Sequence, residues 1–321
     1  MSRTFGYRRL VAFALCAVLA GAPFLAITPA PAQQTKVEQD KASEESIALG
    51  NRNVEQLARD GRYVEALAAA ERVHARAKAE LPEDNDEYLF ALSNLGMVNL
   101  NLARMRQAEI FSMEALQLRR KYLGLEHPDT ATSLENVAVV LMHTGRFEKA
   151  KPLLKGALDI RRKILGQDDP GAVTILSKLG AVYAEQERYP EAEAYFIEAL
   201  ELSRKSFGPR HPDTMFQLSS LGAIYTRQAR YGEAEPIVKE ALELQLQALG
   251  EGHPDTLHSL SNLGTIYKHM ERYEEAEPML RRAFALRRKV LGDAHPETIH
   301  SRENLRSLYR QMGRDDDAAR L

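Results

Sequence analysis

The sequence predicts an all-α protein, a right-handed α-solenoid built from about seven tandem helical hairpins. Residue identities recur at a fixed spacing of 42 residues from about residue 44 to residue 321. Within each unit, apolar residues repeat at the three- and four-residue intervals of two successive helices. Proline and glycine fall near the unit borders, where helices begin and end. Such an array forms one continuous structure, so we do not expect the two separate domains that 321 residues would otherwise suggest.

The overall composition excludes several other classes of protein. With 44% hydrophobic and 27% charged residues, the chain has the composition of a folded protein rather than a disordered one. Its single cysteine can form neither an internal disulfide nor a cysteine-based zinc site. The 43 basic and 45 acidic residues give a net charge of −2, whereas nucleic-acid-binding proteins usually carry a basic excess. We therefore expect no nucleic acid among the partners.

Residues 1–32 have the features of a secretory signal peptide. Three arginines precede an apolar run over residues 10–20, and Ala30-Pro31-Ala32 matches the small-residue cleavage pattern. An uncleaved membrane anchor is the alternative, but the apolar stretch is barely long enough to span a bilayer and contains Gly21 and Pro23. Cleavage after Ala32 would remove Cys16 and change the net charge from −2 to −5. We expect an exported, periplasmic protein that contacts a membrane only if this segment is retained.

The polar residues 33–43 are predicted to form a flexible leader, and residues 44–321 to form the repeat array. The unit that begins at His253 illustrates one hairpin. Pro254 suits the first position of a helix, because an N–H group there would have no partner within the helix. Residues 257–267 carry the apolar stripe of the first helix, and residues 276–286 that of the second. Gly292 is placed to end the second helix in the left-handed conformation.

The repeated residues resemble the tetratricopeptide repeat family. In this unit Leu263-Gly264, Tyr267, Ala276 and Ala283 match the family pattern, and equivalents recur in other units. The ordinary repeat has 34 residues. A 42-residue period with HPDT, SLxNLGxIY, RYxEAEP and ALxxRRKxLG segments resembles the repeats of kinesin light chains and their bacterial relatives. The resemblance implies stacked hairpins with a binding groove; it implies no motor role, because the heptad coiled coil of kinesin light chains is absent.

Several charged residues recur at the repeat spacing, and we expect them to be structural. Equivalent histidines at 127, 211, 253 and 295 lie on units whose helices are about 8–10 Å apart, too far to share one zinc ion. We therefore predict turn residues before proline and no metal site. Arginines recur at the turn after each first helix, at 62, 104, 146, 188, 230, 272 and 314. A cation there suits the C-terminus of a helix, although a binding ladder is the alternative.

Three RRK clusters, at 119–121, 161–163 and 287–289, have the same helix-terminal explanation, with contact to anionic lipid as the alternative. The sequence contains no P-loop, GxGxxG, GxSxG, HExxH or EF-hand motif. We therefore expect no enzymatic activity and no cofactor. Recognition of another molecule is the function that remains.

The family resemblance places the binding groove on the concave face, which the first helices line. By analogy, one column of residues directly before the packing leucine faces the groove: Asn94, Asn136, Lys178, Ser220, Asn262 and Asn304. Asparagine both donates and accepts hydrogen bonds, so this asparagine column is predicted to hold a peptide backbone. One turn further along, the column is neutral at its N-terminal end, with Asn101, and cationic at its C-terminal end, with Arg227, Lys268 and Arg310.

We predict an extended peptide or protein ligand whose acidic or carboxyl-terminal end lies at these cations. The predicted binding residues are Asn94, Asn101, Asn136, Arg227, Asn262, Lys268, Asn304 and Arg310. The leading function is thus a non-enzymatic scaffold or adaptor. The alternative is a self-associating structural component of the cell envelope, because the last unit stops at Leu321 inside its second helix. Light scattering with and without residues 300–321 separates the two.

Overall fold

A computed structural model describes the backbone of residues 31–321 and the side chains of residues 41–321. The predicted signal peptide lies almost wholly outside these residues. The described part is helical throughout, without strands, and its helices pair in chain order into seven hairpins. The helices are α1 (Pro31–Arg59), α2 (Tyr63–Glu80), α3 (Asp86–Asn101), α4 (Met105–Tyr122), α5 (Pro128–His143), α6 (Phe147–Leu165), α7 (Ala172–Glu185), α8 (Tyr189–Phe207), α9 (Pro212–Arg227), α10 (Tyr231–Leu249), α11 (Pro254–His269), α12 (Tyr273–Leu291), α13 (Pro296–Gln311) and α14 (Asp315–Ala319).

The predicted flexible leader differs from the structure, because residues 33–43 belong to helix α1. This segment contains neither glycine nor proline, and seven of its eleven residues are glutamine, lysine, glutamate or alanine, which favour helix. The polarity of this segment indicates exposure to solvent. An amphipathic or fully solvated helix can be exposed in this way as well as an irregular leader can. None of the helices in the described part is long and apolar enough to span a membrane.

The repeat array, residues 43–321, has two layers. The first helices of neighbouring units contact one another directly, from α3–α5 through α11–α13. The backbones of neighbouring second helices in the described array do not come as close. The array therefore curves with its first helices on the inner, concave layer and its second helices on the outer layer. Contiguous apolar clusters between the layers form the core, as the predicted solenoid requires.

Within each hairpin, the two helices approach closely at small residues. Ala276 and Ala283 are fully buried, as their spacing predicts. In α9, a Cβ atom added at Gly222 would lie 2.5 Å from Val238 Cγ2 in α10. In α7, a Cβ atom added at Gly180 would lie 2.9 Å from the ring of Phe196 in α8. The leucine–glycine signature thus sets the distance between the layers.

The HPDT segments close the turns between units. The imidazole Nδ1 of His211 accepts a hydrogen bond from the backbone N–H of Asp213 at 3.2 Å and so caps α9. His127, His253 and His295 cap α5, α11 and α13 in the same way. The Thr214 hydroxyl donates to the carbonyl of Gly208 at 2.8 Å, which ties the cap to the preceding helix. The histidines therefore have the structural turn role that their spacing predicts.

The glycine that ends each long second helix has a different conformation from the predicted one. Gly292 lies at φ 85° and ψ 167°, not in the left-handed helical region. This part of conformational space is essentially accessible to glycine alone. Gly166, Gly208 and Gly250 have nearly the same angles. The chain thus turns from the outer layer toward the next first helix through a conformation that only glycine adopts without strain.

The repeated arginines stabilise the stacking of units, by contacts other than those predicted. The guanidinium of Arg230 pairs with Glu193 of the preceding unit at 2.5 Å and with Glu233 of its own unit at 2.6 Å. It also lies over the Tyr225 ring, 4.5 Å from the centroid. Arg272 and Arg314 repeat all three kinds of contact. These arginines therefore join neighbouring units.

The residue before each of these arginines has a positive φ, and alanine occupies that position in two units. Ala229 has φ 56°, whereas the equivalent residues 61, 145 and 313 are glycine. We expect Ala229→Gly to raise the free energy of unfolding by about 0.5–1 kcal/mol, because it removes left-handed strain. The matched control is Ala248→Gly on the exposed surface of α10, which should lower it by about 1 kcal/mol. Urea denaturation of both variants checks this, and a loss of stability in both would contradict it.

Candidate functional site

The candidate site is the concave groove, the surface formed by the first helices α3, α5, α7, α9, α11 and α13. Ser220, which holds the asparagine-column position in α9, lines a cavity of about 290 Å³ between α9 and α11. Phe216 and Ala223 of the same helix line it as well. At this unit the column position therefore lies beside a cavity between two first helices. The equivalent Asn136, Asn262 and Asn304 are half-buried in the helices that form the same layer.

The members of the asparagine column differ in the partners that their side chains have. Asn94 is only 3% exposed, and its amide donates to the Asn51 side-chain oxygen at 3.2 Å. Lys178 pairs with Glu135 of the preceding unit at 2.8 Å. Asn304 contacts His300 at 3.2 Å. Within the described residues, the amides of Asn136 and Asn262 have no hydrogen-bond partner.

This arrangement leaves Asn136 and Asn262 as the predicted residues whose amides are open to a ligand. The amide of Asn94 instead joins α1 to α3, since Asn51 belongs to α1. Asn101 is exposed at the end of α3, where its amide donates to the backbone carbonyl of Met97 at 3.1 Å. The groove is therefore not a uniform ladder of asparagines.

The cationic end of the groove comprises Arg227, Lys268 and Arg310, in the last turns of α9, α11 and α13. Arg227 and Arg310 are exposed, whereas Lys268 is 8% exposed. Among the described residues, none of the three has a carboxylate within 4.0 Å, although many other cations of the array do, Arg230 and Arg272 among them. Three successive units thus each present one cation without a counter-charge.

Lys268 differs from the two arginines because its side chain is buried. Burial lowers the pKa of Lys268, since the protonated amine loses part of its hydration there. Burial of its own ring, together with the charge of Lys268, lowers the pKa of the neighbouring His269. A carboxylate placed beside Lys268 would compensate for the lost hydration. The electrostatics of this end of the groove therefore favour an anionic ligand group.

A buried row of polar residues lies behind the groove floor, and the sequence did not reveal it. The first arginine of two RRK clusters, Arg119 and Arg287, is buried rather than exposed at a helix end. The Arg119 guanidinium donates to Ser93 at 2.9 Å and to Ser133 at 2.6 Å, and so joins α3 to α5. Burial lowers the pKa of Arg119. These two arginines contact the inner layer, which corrects their assignment to the helix dipole alone and removes them from any lipid-facing surface.

The serines at 93 and 133 recur at 219 and 259, three repeats further along the chain, and this recurrence is the signal that could have indicated the row. In the described part of the chain, no three metal-binding side chains come together.

Comparisons with known proteins identify one family. The Tetratricopeptide repeat family matches residues 89–163, 129–196, 171–247, 215–289 and 255–321, which together cover most of the chain. No curated protein matches the sequence.

Several solved structures resemble this one. The nearly identical TPR-like repeats of a candidate kinesin light chain from Podosopora anserina are 21% identical, with a TM-score of 0.57 over 63% of this chain and 96% of that one. BtubC (BKLC) from P. vanneervenii is 23% identical, with a TM-score of 0.59 over 79% of this chain and 94% of that one. A Rap protein complexed with Competence and Sporulation Factor is 16% identical, with a TM-score of 0.58 over 86% of this chain and 74% of that one. At these identities the likeness shows the α-solenoid fold.

Proposed function

Because the chain belongs to the tetratricopeptide repeat family, we propose that it is an interaction scaffold whose concave groove binds an extended protein segment. The segment's acidic side chain or terminal carboxylate lies at the cationic end, against Arg227, Lys268 and Arg310. One observation carries this proposal: these three cations lack a carboxylate partner within the described residues, and one of them, Lys268, is 8% exposed. The recognition of the repeat type from the sequence is confirmed.

The groove offers complementary groups along its length. Asn136 and Asn262 have free amides that can donate to and accept from the backbone of an extended chain without demanding a particular side chain. The unpaired cations supply charge-assisted hydrogen bonds at one end, which fixes the direction of the bound segment. The Rap protein of the same fold was solved with Competence and Sporulation Factor, which supports the view that such a solenoid holds a second molecule.

The proposal is tested by selecting ligands from a library of random peptides with free carboxyl termini, displayed to the full chain. We expect selected peptides to lose most of their affinity when the terminal carboxylate is amidated, unless an acidic side chain near that end replaces it. A set of selected peptides that bind equally well after amidation, and that lack acidic residues at that end, would contradict the proposal. Isothermal titration calorimetry gives both affinities.

The buried lysine also predicts a pH dependence. Only the ammonium form of Lys268 attracts a carboxylate, and its folded-state pKa is lowered from 10.5 by burial. As the pH rises, the affinity for a carboxylate-terminated peptide should therefore begin to fall at a lower pH than it would with an ordinary lysine at this position. Lys268→Arg should abolish this fall, because arginine stays charged where lysine loses its proton. Equal pH profiles for both proteins, measured by titration, would refute the role of Lys268.

The proposal also includes export. Residues 1–32 carry the features of a signal peptide and lie almost wholly outside the described residues. Cleavage after Ala32 would leave a mature chain whose first residue is Gln33, within α1. Cell fractionation and N-terminal sequencing of the protein from its native host test this. A mature protein in the periplasm that begins at Gln33 is expected, whereas an intact N-terminus in the cytoplasmic fraction would contradict export.

A further inference from the structure

The array contains a recurring site for a guanidinium group, which the protein fills from within. Between α3 and α5, the buried Arg119 of α4 occupies this site and donates to the hydroxyls of Ser93 and Ser133. Asp129, at the start of α5, and Asp86, at the start of α3, both act on its charge. Two serine acceptors thus hold a guanidinium at the interface between two first helices, with two carboxylates in its surroundings.

The site recurs at multiples of the repeat spacing. Arg287 of α12 donates to Ser301 and pairs with Glu297, the counterpart of Asp129, at 3.2 Å. Arg161 of α6 pairs with Asp169 at 2.5 Å. In three units, therefore, the protein supplies its own arginine from the second helix. Arg119 and Arg287 both donate to a serine hydroxyl, whereas Glu135 and Ile175 stand at the two serine positions in the Arg161 unit. The Arg119 and Arg287 sites show which ligand chemistry the serine acceptors fit.

The interface between α9 and α11 has the serine acceptors but no arginine. Ser219 and Ser259 stand at the positions of Ser93 and Ser133, with their hydroxyl oxygens 3.4 Å apart. Asp255 stands at the position of Asp129. The arginine itself is replaced by Gln245, which is shorter and uncharged, and a cavity of about 290 Å³ opens between the two helices.

The polar groups of this cavity can accept further hydrogen bonds. Gln245 is 1% exposed and lines the cavity; its amide nitrogen donates to Ser219 at 3.0 Å, while its Oε1 has no donor. The carboxylate of Asp255 lies at the rim, with no lysine or arginine paired to it in the described chain. The ring of Phe216, 58% exposed, forms one wall and can stack on a planar cation.

We propose that this cavity, in the floor of the groove, binds the guanidinium of an arginine side chain on the bound segment. Gln245 Oε1 and the Ser219 hydroxyl accept its N–H groups, Asp255 supplies the counter-charge, and Phe216 stacks on its face. The inference rests on the proposed groove function and adds a side-chain requirement to it. The ligand then carries an arginine over α9–α11 as well as a carboxylate near the cationic end.

The nearby cation Arg287 does not exclude a second guanidinium here. Arg287 belongs to the next site along the array, where Glu297 already balances its charge. Arg119 and Arg161 already lie one repeat apart, Arg119 bonded to serine hydroxyls and Arg161 to the Asp169 carboxylate. Guanidinium groups one unit apart are thus compatible with the structure of this array.

The test uses the full chain and acetyl-arginine amide as the probe, with binding followed by NMR chemical-shift titration. Acetyl-citrulline amide, which has the same shape without the charge, should bind at least tenfold more weakly. Gln245→Arg restores the internal guanidinium, so it should weaken binding of the arginine probe at least tenfold. It should also raise the midpoint temperature of thermal unfolding. Retention of full binding by a folded Gln245→Arg protein would overturn the inference, as would equal binding of the two probes.

A second variant keeps the test decisive if Gln245→Arg does not fold. Asp255→Asn at the exposed rim should weaken the arginine probe about tenfold, whereas the equivalent Asp213→Asn in the preceding unit should leave it unchanged. Equal effects of the two substitutions would overturn the inference. The probe has no carboxylate, so substitutions of Lys268 and Arg310 should not affect it. Failure of this inference is therefore distinguishable from failure of the carboxylate-binding proposal.

Discussion

Combining Lys268→Met with Arg310→Glu is expected to weaken the binding of a carboxylate-terminated peptide about 100-fold or more. Each cation can form a charge-assisted hydrogen bond worth about 1.5–3 kcal/mol, and the glutamate adds repulsion at the same place. Both side chains lie at the last turns of neighbouring first helices, with no carboxylate partner in the described array. Calorimetric titration with one selected peptide measures the change.

The matched control moves the same charge change to the outer layer. Lys289→Met combined with Arg120→Glu alters two exposed cations on α12 and α4, and should change the affinity by less than about threefold, because solvent screens charges at that distance. Lys268→Met should not lower the stability, since it replaces a partly desolvated ammonium that has no carboxylate partner by an apolar chain of similar length. Equal losses of affinity in the control and the groove variant would contradict the assignment of the cationic end.

Gly222→Ala is expected to lower the free energy of unfolding by about 1–3 kcal/mol, although alanine favours helix. The added Cβ atom would lie 2.5 Å from Val238 Cγ2. The side chain of a valine in a helix has one strongly preferred rotamer, so it cannot move aside without strain. The two layers of this hairpin would have to separate. Chemical denaturation monitored by circular dichroism measures the loss.

The same hairpin offers a control for that substitution. Gly232 lies in the first turn of α10, and a Cβ atom added there would meet nothing within 4 Å. Gly232→Ala should therefore stabilise the protein by up to about 1 kcal/mol through helix propensity alone. Opposite signs for the two substitutions are the expected result. Stabilisation by both would show that Gly222 does not set the distance between the layers.

The fold could be predicted from the sequence because every unit repeats the same local signals. Proline at the first helical position, the leucine–glycine pair and the buried alanines each constrain one contact, and the 42-residue spacing repeats that constraint. The structural role of the histidines follows from their place before proline, although the sequence does not show that Nδ1 caps the helix. The glycine conformation at Gly292 was predicted wrongly, because the left-handed helical region is only one of the regions open to glycine.

The site was less predictable, because the spacing of residues along a helix indicates a face but not the partners on that face. Asn94 has the same position in its unit as Asn262, yet only Asn94 is next to the amide of Asn51 from α1. The low exposure of Lys268 depends on the helices packed around α11. The cavity at Gln245 arises at a position where the residue changes along the array, with arginine at 119, 161 and 287 but Ser203 and Gln245 between them, whereas the sequence prediction depends on residues that stay the same.

The most direct test of the groove proposal places a photo-crosslinking group on the carboxyl-terminal residue of a selected peptide and maps the crosslinked sites by mass spectrometry. We expect crosslinks in the last turns of α9, α11 and α13, around Arg227, Lys268 and Arg310, that disappear when excess unlabelled peptide competes. Competable crosslinks confined to the second helices, or to the opposite end of the groove at α3 and α5, would contradict the account.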